Sequence, residues 1–286
     1  MKRETAFAYL FVVPALALFI VFRLVPLVFG SLSSFTDWNG IADPRWIGLG
    51  NYAELLTDPV FQATMLNTLK VLITLPIWVG LPLILAIFIY LEVPAARLYR
   101  GVYFFPIVLS SIITGTMFSI ILRFDGTLNQ FVGLAHIPAV DWLGDSRFAL
   151  LAVILVAIWA HFGMSVMIFL SGLTTIPPET IEAARVDGAT LMQIIWRIII
   201  PMVRPTIELV VVMTTITILT SMFGLIYVMT GGGPGTATYM PEFVIWLMQG
   251  QFNRLGYASA MSVTLFVVVA LVGIAQIRLM RSQWSQ

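Results

Sequence analysis

The chain has 286 residues, of which 59% are hydrophobic and 10% are charged, and its formal net charge is +1. Soluble domains carry about 25% charged residues, so this composition excludes a water-soluble globular domain and indicates that lipid surrounds most of the chain. The near-zero charge gives no electrostatic basis for binding nucleic acid, and the absence of cysteine excludes disulfides, thiolate metal sites and cysteine nucleophiles.

Six apolar stretches are long enough to cross a bilayer, because a spanning helix needs about 20 residues. The sequence therefore predicts an all-α integral membrane protein, a six-helix bundle in which residues 1–286 form a single transmembrane domain. The predicted spans cover residues 7–29, 65–91, 101–123, 149–173, 206–229 and 257–280.

The first stretch has an alternative interpretation, because a basic start before an apolar run also fits a signal peptide cleaved near Ala17. The apolar run continues to Phe29, which is long for the hydrophobic region of a signal peptide. A retained membrane helix is therefore favoured.

Basic residues indicate the orientation, because cytoplasmic loops carry an excess of Lys and Arg. With the N-terminus inside, the cytoplasmic side receives nine basic residues: Lys2, Arg3, Arg97, Arg100, Arg185, Arg197, Arg204, Arg278 and Arg281. The outer side receives five: Arg45, Lys70, Arg123, Arg147 and Arg254. Both termini and residues 174–205 are thus predicted to be cytoplasmic. Residues 30–64, 124–148 and 230–256 are predicted to lie outside, with an interfacial or re-entrant helix over 243–248.

The segment 174–205 is predicted to form a helix, a turn and a second helix. Pro178 suits a first helical position, Glu182 follows near that positive end, Gly188 can close the helix, and Thr190 can cap the next one. The apolar residues of the second helix recur at three- and four-residue spacing: Leu191, Ile194, Ile195, Ile198 and Ile199. Two prolines are predicted to break that helix before the fifth span: Pro201 and Pro205.

Two explanations fit an amphipathic loop of this kind. It could anchor in lipid headgroups, or it could dock a separate protein. Glu182 and Asp187 are poor ligands for headgroups, and Ala183 and Ala184 allow another backbone to approach closely. These residues favour protein docking.

The loop resembles the signature of permeases of binding-protein-dependent ABC importers, with one Ile where Leu is usual. The residues that carry this resemblance are Glu182, Ala183, Ala184, Gly188, Ile198, Ile200 and Pro201. Further segments are similar to the carbohydrate-uptake group, and in particular to the first permease of the maltose and glycerol-phosphate type: Ile176-Pro177-Pro178-Glu179, Asp187-Gly188-Ala189, Asn51-Tyr52, Asn67-Thr68 and Thr230-Gly231-Gly232-Gly233-Pro234.

This resemblance implies a non-catalytic subunit, without cofactor or metal, in a bacterial or archaeal cytoplasmic membrane. Its implied partners are a second homologous permease, two ATPase subunits, an extracytoplasmic solute-binding protein, a sugar and the bilayer. Glu182 would contact the ATPase, Ala183 and Ala184 would fit its cleft, Gly188 would form the turn, and Asp187 would cap or brace it.

The resemblance also places substrate contacts near the middle of the spans that flank the loop. The candidates are Trp159, His161, Gly163, Ser165, Thr215, Leu219 and Ser221. An aromatic ring can stack on a sugar, and polar groups can bind its hydroxyls. The alternative is helix packing, because small and hydroxylated residues commonly mediate contacts between membrane helices.

Two other functions remain open from the residues alone. An ion-coupled secondary transporter would have buried acids at the membrane midplane, but Glu208 lies near the end of its span. An intramembrane serine protease would use Ser165 with His161, a pair that packing on one helix face explains more simply.

Overall fold

The computed structural model describes residues 12–91 and 105–282, and the regular structure of these residues is helical apart from an isolated β-bridge between Thr36 and Trp46. The helices include α1 (Val12–Ser33), α2 (Gly50–Thr57), α3 (Pro59–Ile73), α4 (Leu75–Tyr90), α5 (Ser111–Ile121), α6 (Thr127–Leu134), α7 (Ala149–Leu173), α8 (Pro178–Val186), α9 (Leu191–Met202), α10 (Arg204–Thr220), α11 (Phe223–Met229), α12 (Pro241–Gly250) and α13 (Leu255–Ser282).

Four helical stretches among the described residues are long and apolar enough to cross a bilayer: Val12–Ser33, Pro59–Tyr90, Ala149–Leu173 and Leu255–Met280. They overlie the first, second, fourth and sixth predicted spans. Helices α9 and α10 together would make a fifth, although they are bent by 68°. Helix α5 lies within the predicted third span, 101–123, whose first four residues fall outside the described part of the chain.

The predicted fifth span, 206–229, requires a correction because it is interrupted at Ser221. That residue leaves helical geometry, with φ −143° and ψ 20°, and α11 then starts at Phe223. The N–H groups of Met222 and Phe223 donate to the Glu242 carboxylate at 2.9 and 3.0 Å. The break is therefore stabilised by a side chain distant in the sequence.

The predicted end of the second loop helix also requires a correction. Helix α9 continues past Pro201 to Met202, because a π-helical stretch at Ile195–Ile199 precedes the proline. A wider turn accommodates a residue that lacks an N–H group. The bend comes at Val203, and Pro205 lies in the first turn of α10, where proline is tolerated.

The described part of the chain divides into two compact units, one of which comprises residues 63–243 and the segment after 268. In this unit α4 packs on α7, and α10 packs on both. The shared core consists of buried aliphatic and aromatic side chains: Val79, Ala86, Ile87, Ile89, Val166, Phe169, Leu173, Ile176, Ile181, Ile194, Ile199, Val203 and Val210. Residues of the loop 174–205 thus belong to the core of the spans.

The other unit comprises residues 1–62 and 244–268. Its helix α1 exposes every side chain from Val12 to Phe29, and an apolar surface on all sides of a helix is typical of a membrane span. After α1, the buried Asn51 donates two hydrogen bonds of 2.8 Å to the carbonyls of Ser34 and Thr36. These bonds give the Asn51-Tyr52 segment a local structural role, because they hold the start of α2 against the residues that follow α1.

Candidate functional site

The loop 174–205 begins where α7 ends. Pro177 is extended, with φ −61° and ψ 129°, so that α8 starts at Pro178 and carries Glu179 in its first turn. Pro178 and Glu179 suit a helix N-terminus, where proline loses no hydrogen bond and an acidic group meets the positive end of the helix dipole. Residues at the start of α8 therefore determine where this helix begins.

Helix α8 has a buried face and an exposed face. Ile181 is 6% exposed and lies in the same core as Phe169 and Leu173 at the end of α7. Ala184 is half-buried against that core. The exposed residues of the helix and its end include Glu182, Ala183, Arg185, Val186 and Asp187. Most of the predicted docking residues thus share the open face.

The turn after α8 is closed by backbone hydrogen bonds. Gly188 N–H donates to the Arg185 carbonyl at 3.1 Å, and Ala189 N–H donates to the Ala184 carbonyl at 2.9 Å. This pair of bonds is the Schellman arrangement, and Gly188 has the φ of +78° that it requires. Asp187 is exposed, and within the described residues its carboxylate makes no hydrogen bond or ion pair. The geometry therefore leaves that carboxylate available to a partner.

Helix α9 starts with a reciprocal capping box. Thr190 N–H donates to Gln193 Oε1 at 2.7 Å, and Gln193 N–H donates to Thr190 Oγ1 at 3.4 Å. Ile194 and Ile199 are 2% and 0% exposed, as their spacing predicts. Leu191, which the same spacing groups with them, is 52% exposed, because it precedes the turn that first reaches the core.

Large apolar side chains are exposed beside the acidic face of α8. They are Val186, Leu191, Met192 and Trp196. The Trp196 indole N–H donates to the Met192 sulfur at 3.0 Å, so these two side chains are held together. The loop thus presents both acidic and apolar groups in exposed positions.

Four of the predicted pathway residues lie on α7: Trp159, His161, Gly163 and Ser165. The Trp159 ring packs edge-on against Phe118, with ring centroids 5.1 Å apart. His161 Nδ1 lies 2.9 Å from the Ala157 carbonyl oxygen, and its ring centroid lies 5.7 Å from that of Trp78. Gly163 is buried and Ser165 is half-buried. Within one chain these contacts are those of packed helices.

The remaining three pathway residues lie on or after α10. Thr215 is 2% exposed; its Oγ1 donates to the Val211 carbonyl and accepts from Gln276 Nε2, both at 2.8 Å. Leu219 is also 2% exposed, whereas Ser221 is exposed at the helix break. The structure therefore does not bring the seven residues to one open surface.

Glu242 has a structural role that sequence reasoning missed. Its carboxylate accepts the two N–H groups that the break before α11 leaves without helical partners. Burial raises the pKa of this carboxyl above its ordinary value, while the bonds from Phe223 and Met222 act in the opposite direction. The group is thus half-buried at an energetic cost that the two bonds partly offset. The signal in the sequence that could have revealed this role was that Glu242 is an isolated acid in an apolar loop.

Asn67 is a second residue whose role the sequence did not reveal. It is 4% exposed, and its amide donates to the carbonyls of Thr236 and Tyr239 at 2.9 and 3.2 Å. These bonds fasten the glycine-rich segment after α11 to helix α3.

Within the described residues, no group of three or more His, Asp or Glu side chains is placed to hold a metal ion.

The helical loop 174–205 packs against the core of a membrane bundle, which is the arrangement that the resemblance implies. The family of binding-protein-dependent transport system inner membrane components matches residues 46–283 of the chain. The chain belongs to this family.

Known proteins resemble this permease over almost its whole length. It is 32% identical over 274 residues to the multiple sugar-binding transport system permease protein MsmF of Streptococcus mutans, with 94% of this chain and 93% of the relative covered. It is 33% identical over 284 residues to the probable ABC transporter permease protein YurN of Bacillus subtilis, with 96% of each covered. A chain in the crystal structure of a bacterial ABC transporter involved in the import of alginate superposes with a TM-score of 0.88 at 23% identity, covering 98% of this chain and 96% of that one.

The predicted family and the all-α permease fold are therefore confirmed. The permease is a multi-pass inner membrane protein and a non-catalytic subunit of an ABC transporter, which works in complex with a binding protein and the other transporter subunits. Membership in this family removes the reason to invoke an ion-coupled transporter or an intramembrane protease.

Proposed function

We propose that this permease forms half of the translocation pathway of an ATP-driven sugar importer, and that residues 174–205 transmit closure of the ATPases to the spans. A second homologous permease forms the other half, so that the permease pair is a heterodimer. Two ATPase subunits lie on the cytoplasmic side, and an extracytoplasmic binding protein delivers the sugar. The membrane is a bacterial or archaeal cytoplasmic membrane, with both termini of the permease in the cytoplasm.

The observation that carries this proposal is that the loop packs into the core of the spans. Ile181, Ile194 and Ile199 are buried in one cluster with residues of α4 and α7. Close-packed side chains transmit displacement because they cannot compress. A partner that moves α8 therefore moves the ends of these spans with it, as a rigid-body switch requires.

The exposed chemistry of the loop supports docking of a protein rather than anchoring in headgroups. Glu182 and Asp187 lie on the open face, beside exposed apolar groups such as Trp196. An anionic membrane surface repels carboxylates, whereas a protein cleft can pair them and cover the apolar groups. We therefore assign Glu182, Ala183, Ala184, Asp187 and Gly188 to the contact with an ATPase subunit.

The carbohydrate cargo is supported by the relatives, of which one is by its name a sugar-system permease and another transporter takes part in alginate import. Among the pathway candidates we favour those with accessible surface: Trp159, His161, Ser165 and Ser221. Gly163, Thr215 and Leu219 are buried in the packing of this chain. We assign these three to helix packing beside the pathway.

Reversal of one charge on α8 tests the coupling. In the assembled transporter, Glu182→Arg is expected to reduce co-purification of the ATPase subunits and sugar uptake into proteoliposomes by about tenfold or more. Loss of a charge-assisted hydrogen bond costs about 1.5–3 kcal/mol, and each 1.4 kcal/mol is a factor of ten. Uptake of a radiolabelled oligosaccharide that the partner binding protein binds provides the measurement.

The matched control is Glu179→Arg, which places the same charge change one turn earlier on the same helix. We expect its effect to stay within a few-fold, because an unfavourable charge at an exposed helix N-terminus costs about 0.3–1 kcal/mol. Normal ATPase retention and uptake with Glu182→Arg would contradict the coupling role of the loop.

A further inference from the structure

A cavity of about 570 Å³ lies among the ends of helices opposite to the loop 174–205. Its lining combines two cationic side chains, one hydroxyl and an apolar wall: Lys70, Ser146, Arg147, Leu150, Leu151, Ile154 and Ala237. This volume falls in the range of small-molecule sites, about 300–1,000 Å³. The wall residues lie in the first turns of α7, whereas the loop follows its last turn, about 30 Å further along the helix at a rise of about 1.5 Å per residue.

The lining of the cavity is positively charged. It contains Lys70 and Arg147 but no Asp or Glu. Lys70 Nζ donates to Asn67 Oδ1 at 3.3 Å and has no acidic partner within the described part of the chain. Its charge is therefore not balanced by a neighbouring carboxylate.

Arg147 contributes directed donors rather than net charge. Its guanidinium pairs with Asp145, with 2.5 Å between Nη2 and Oδ2. Hydrogen bonds from Arg147 lower the pKa of Asp145 to about 2, so this acid stays ionised at physiological pH. Since a guanidinium has five N–H donors, the pair leaves donors for a further anion. Together with Lys70, the three groups carry a net charge of +1.

The wall beside Lys70 is held in place by Asn67, whose amide accepts from Lys70 and donates to the carbonyls of Thr236 and Tyr239. The segment that contains Ala237 is thus fastened to the helix that carries Lys70. On the other side, Leu150 and Ile154 of α7 are 7% and 5% exposed, whereas Leu151 is 47% exposed. A cation beside an apolar wall suits a ligand with an anionic end and an apolar face.

We propose that this cavity binds an anionic group, a carboxylate or a phosphate, carried by a small solute or by a lipid headgroup. In the orientation given above, the cavity opens on the outer side of the membrane. Lys70 supplies the unbalanced charge, and Arg147 and the Ser146 hydroxyl supply further donors. The site is separate from the docking surface on α8 and from the candidate pathway residues.

The lysine content of the chain allows a direct test, since Lys2 and Lys70 are its two lysines. The assembled transporter is placed in nanodiscs of phosphatidylcholine and treated with an amine-reactive acylating reagent, and peptide mass spectrometry then measures the modification of each lysine. Glucuronate or inorganic phosphate is expected to slow acylation of Lys70 about threefold at a concentration twice its Kd. Glucose, the neutral counterpart of glucuronate, should leave Lys70 unprotected, and Lys2 should react equally in all samples.

A second arm distinguishes the two sources of the anion. Nanodiscs that contain phosphatidylglycerol, without added solute, protect Lys70 if a lipid headgroup occupies the cavity. Protection by glucuronate or phosphate in pure phosphatidylcholine instead assigns the site to a solute. The proposal is overturned if neither anionic solutes nor anionic lipid slow the acylation, or if glucose protects as strongly as glucuronate.

Matched variants test the lining itself. Arg147→Gln is expected to weaken the protection several-fold, because it removes donors from the cavity. Arg123→Gln is the control: Arg123 also pairs with an acid two positions away, Asp125, but it lies outside the cavity. Equal loss of protection in both variants would overturn the role of Arg147. Acylation does not require transport, so its result is independent of the proposed coupling function.

Discussion

At the break in the fifth span, the Glu242 carboxylate accepts hydrogen bonds from two backbone N–H groups. It takes the place of the backbone carbonyls that a continuous helix would supply. At a helix N-terminus the first N–H groups have no partner within the helix, and in a membrane protein water does not reliably replace them. Here Met222 and Phe223 donate to one side chain of α12. A single residue thus allows an irregular segment to lie between α10 and α11, next to the exposed Ser221.

Removal of this carboxylate should open the break. Glu242→Ala leaves two N–H groups without their acceptor, and we expect a local destabilisation of about 2 kcal/mol, with about half of that for Glu242→Gln, which keeps one carbonyl oxygen. Amide hydrogen exchange of Met222 and Phe223 in the assembled transporter should then rise about thirtyfold in the Ala variant.

The control for this prediction is Glu54→Ala, which removes an exposed acid paired with Arg254 in the other compact unit. Exposed ion pairs contribute little, so exchange at Met222 and Phe223 should not change. Unchanged exchange in Glu242→Ala would show that another group satisfies these amides.

At the scale of elements, α8 and α9 are connected by a turn whose ends are both capped by the chain itself. The Schellman bonds close α8, and the Thr190–Gln193 capping box opens α9 only two residues later. Little freedom remains between the two helices. A loop with this geometry moves as one body rather than bending at its middle, which is what a lever between two proteins requires.

Gly188 is the residue on which this turn depends. Its φ is +78°, and a Cβ added there would meet nothing within 4 Å, so the cost of a side chain is conformational rather than steric. We expect Gly188→Ala to destabilise the turn by about 1 kcal/mol and to raise hydrogen exchange of the Ala189 amide about fivefold. Gly188→Asn should do so less, because Asn tolerates the left-handed region.

Gly133→Ala provides the comparison for this substitution. Gly133 lies within α6, and a Cβ there would also meet nothing within 4 Å. Its backbone is helical, so alanine should be neutral or slightly stabilising by about 0.5–1 kcal/mol. If Gly188→Ala behaved like Gly133→Ala, the turn would not depend on left-handed geometry.

Across the whole molecule, the separation along the sequence between interacting residues determines what the sequence could predict. The bounds of the loop helices follow from signals a few residues apart, such as Pro178, Gly188 and Thr190, and the structure places helix ends at all three. The break at Ser221 depends on an acceptor about twenty positions away, which hydropathy does not reveal. The resemblance makes Thr215 a candidate for binding cargo, and the sequence does not reveal that its hydroxyl accepts a hydrogen bond from Gln276, in another helix.

The orientation of the whole chain is the remaining large-scale prediction, and the absence of cysteine makes it testable. Two exposed apolar residues serve as single labelling sites: Ile41, 88% exposed between α1 and α2, and Met192, 62% exposed on α9. Because basic residues cluster on the side of the loop 174–205, we expect Ile41→Cys to react with a membrane-impermeant maleimide in right-side-out vesicles. Met192→Cys should react in inverted vesicles from which peripheral subunits have been washed. The opposite pattern would place the loop outside, where no ATPase could reach it, and the proposed coupling would then be wrong.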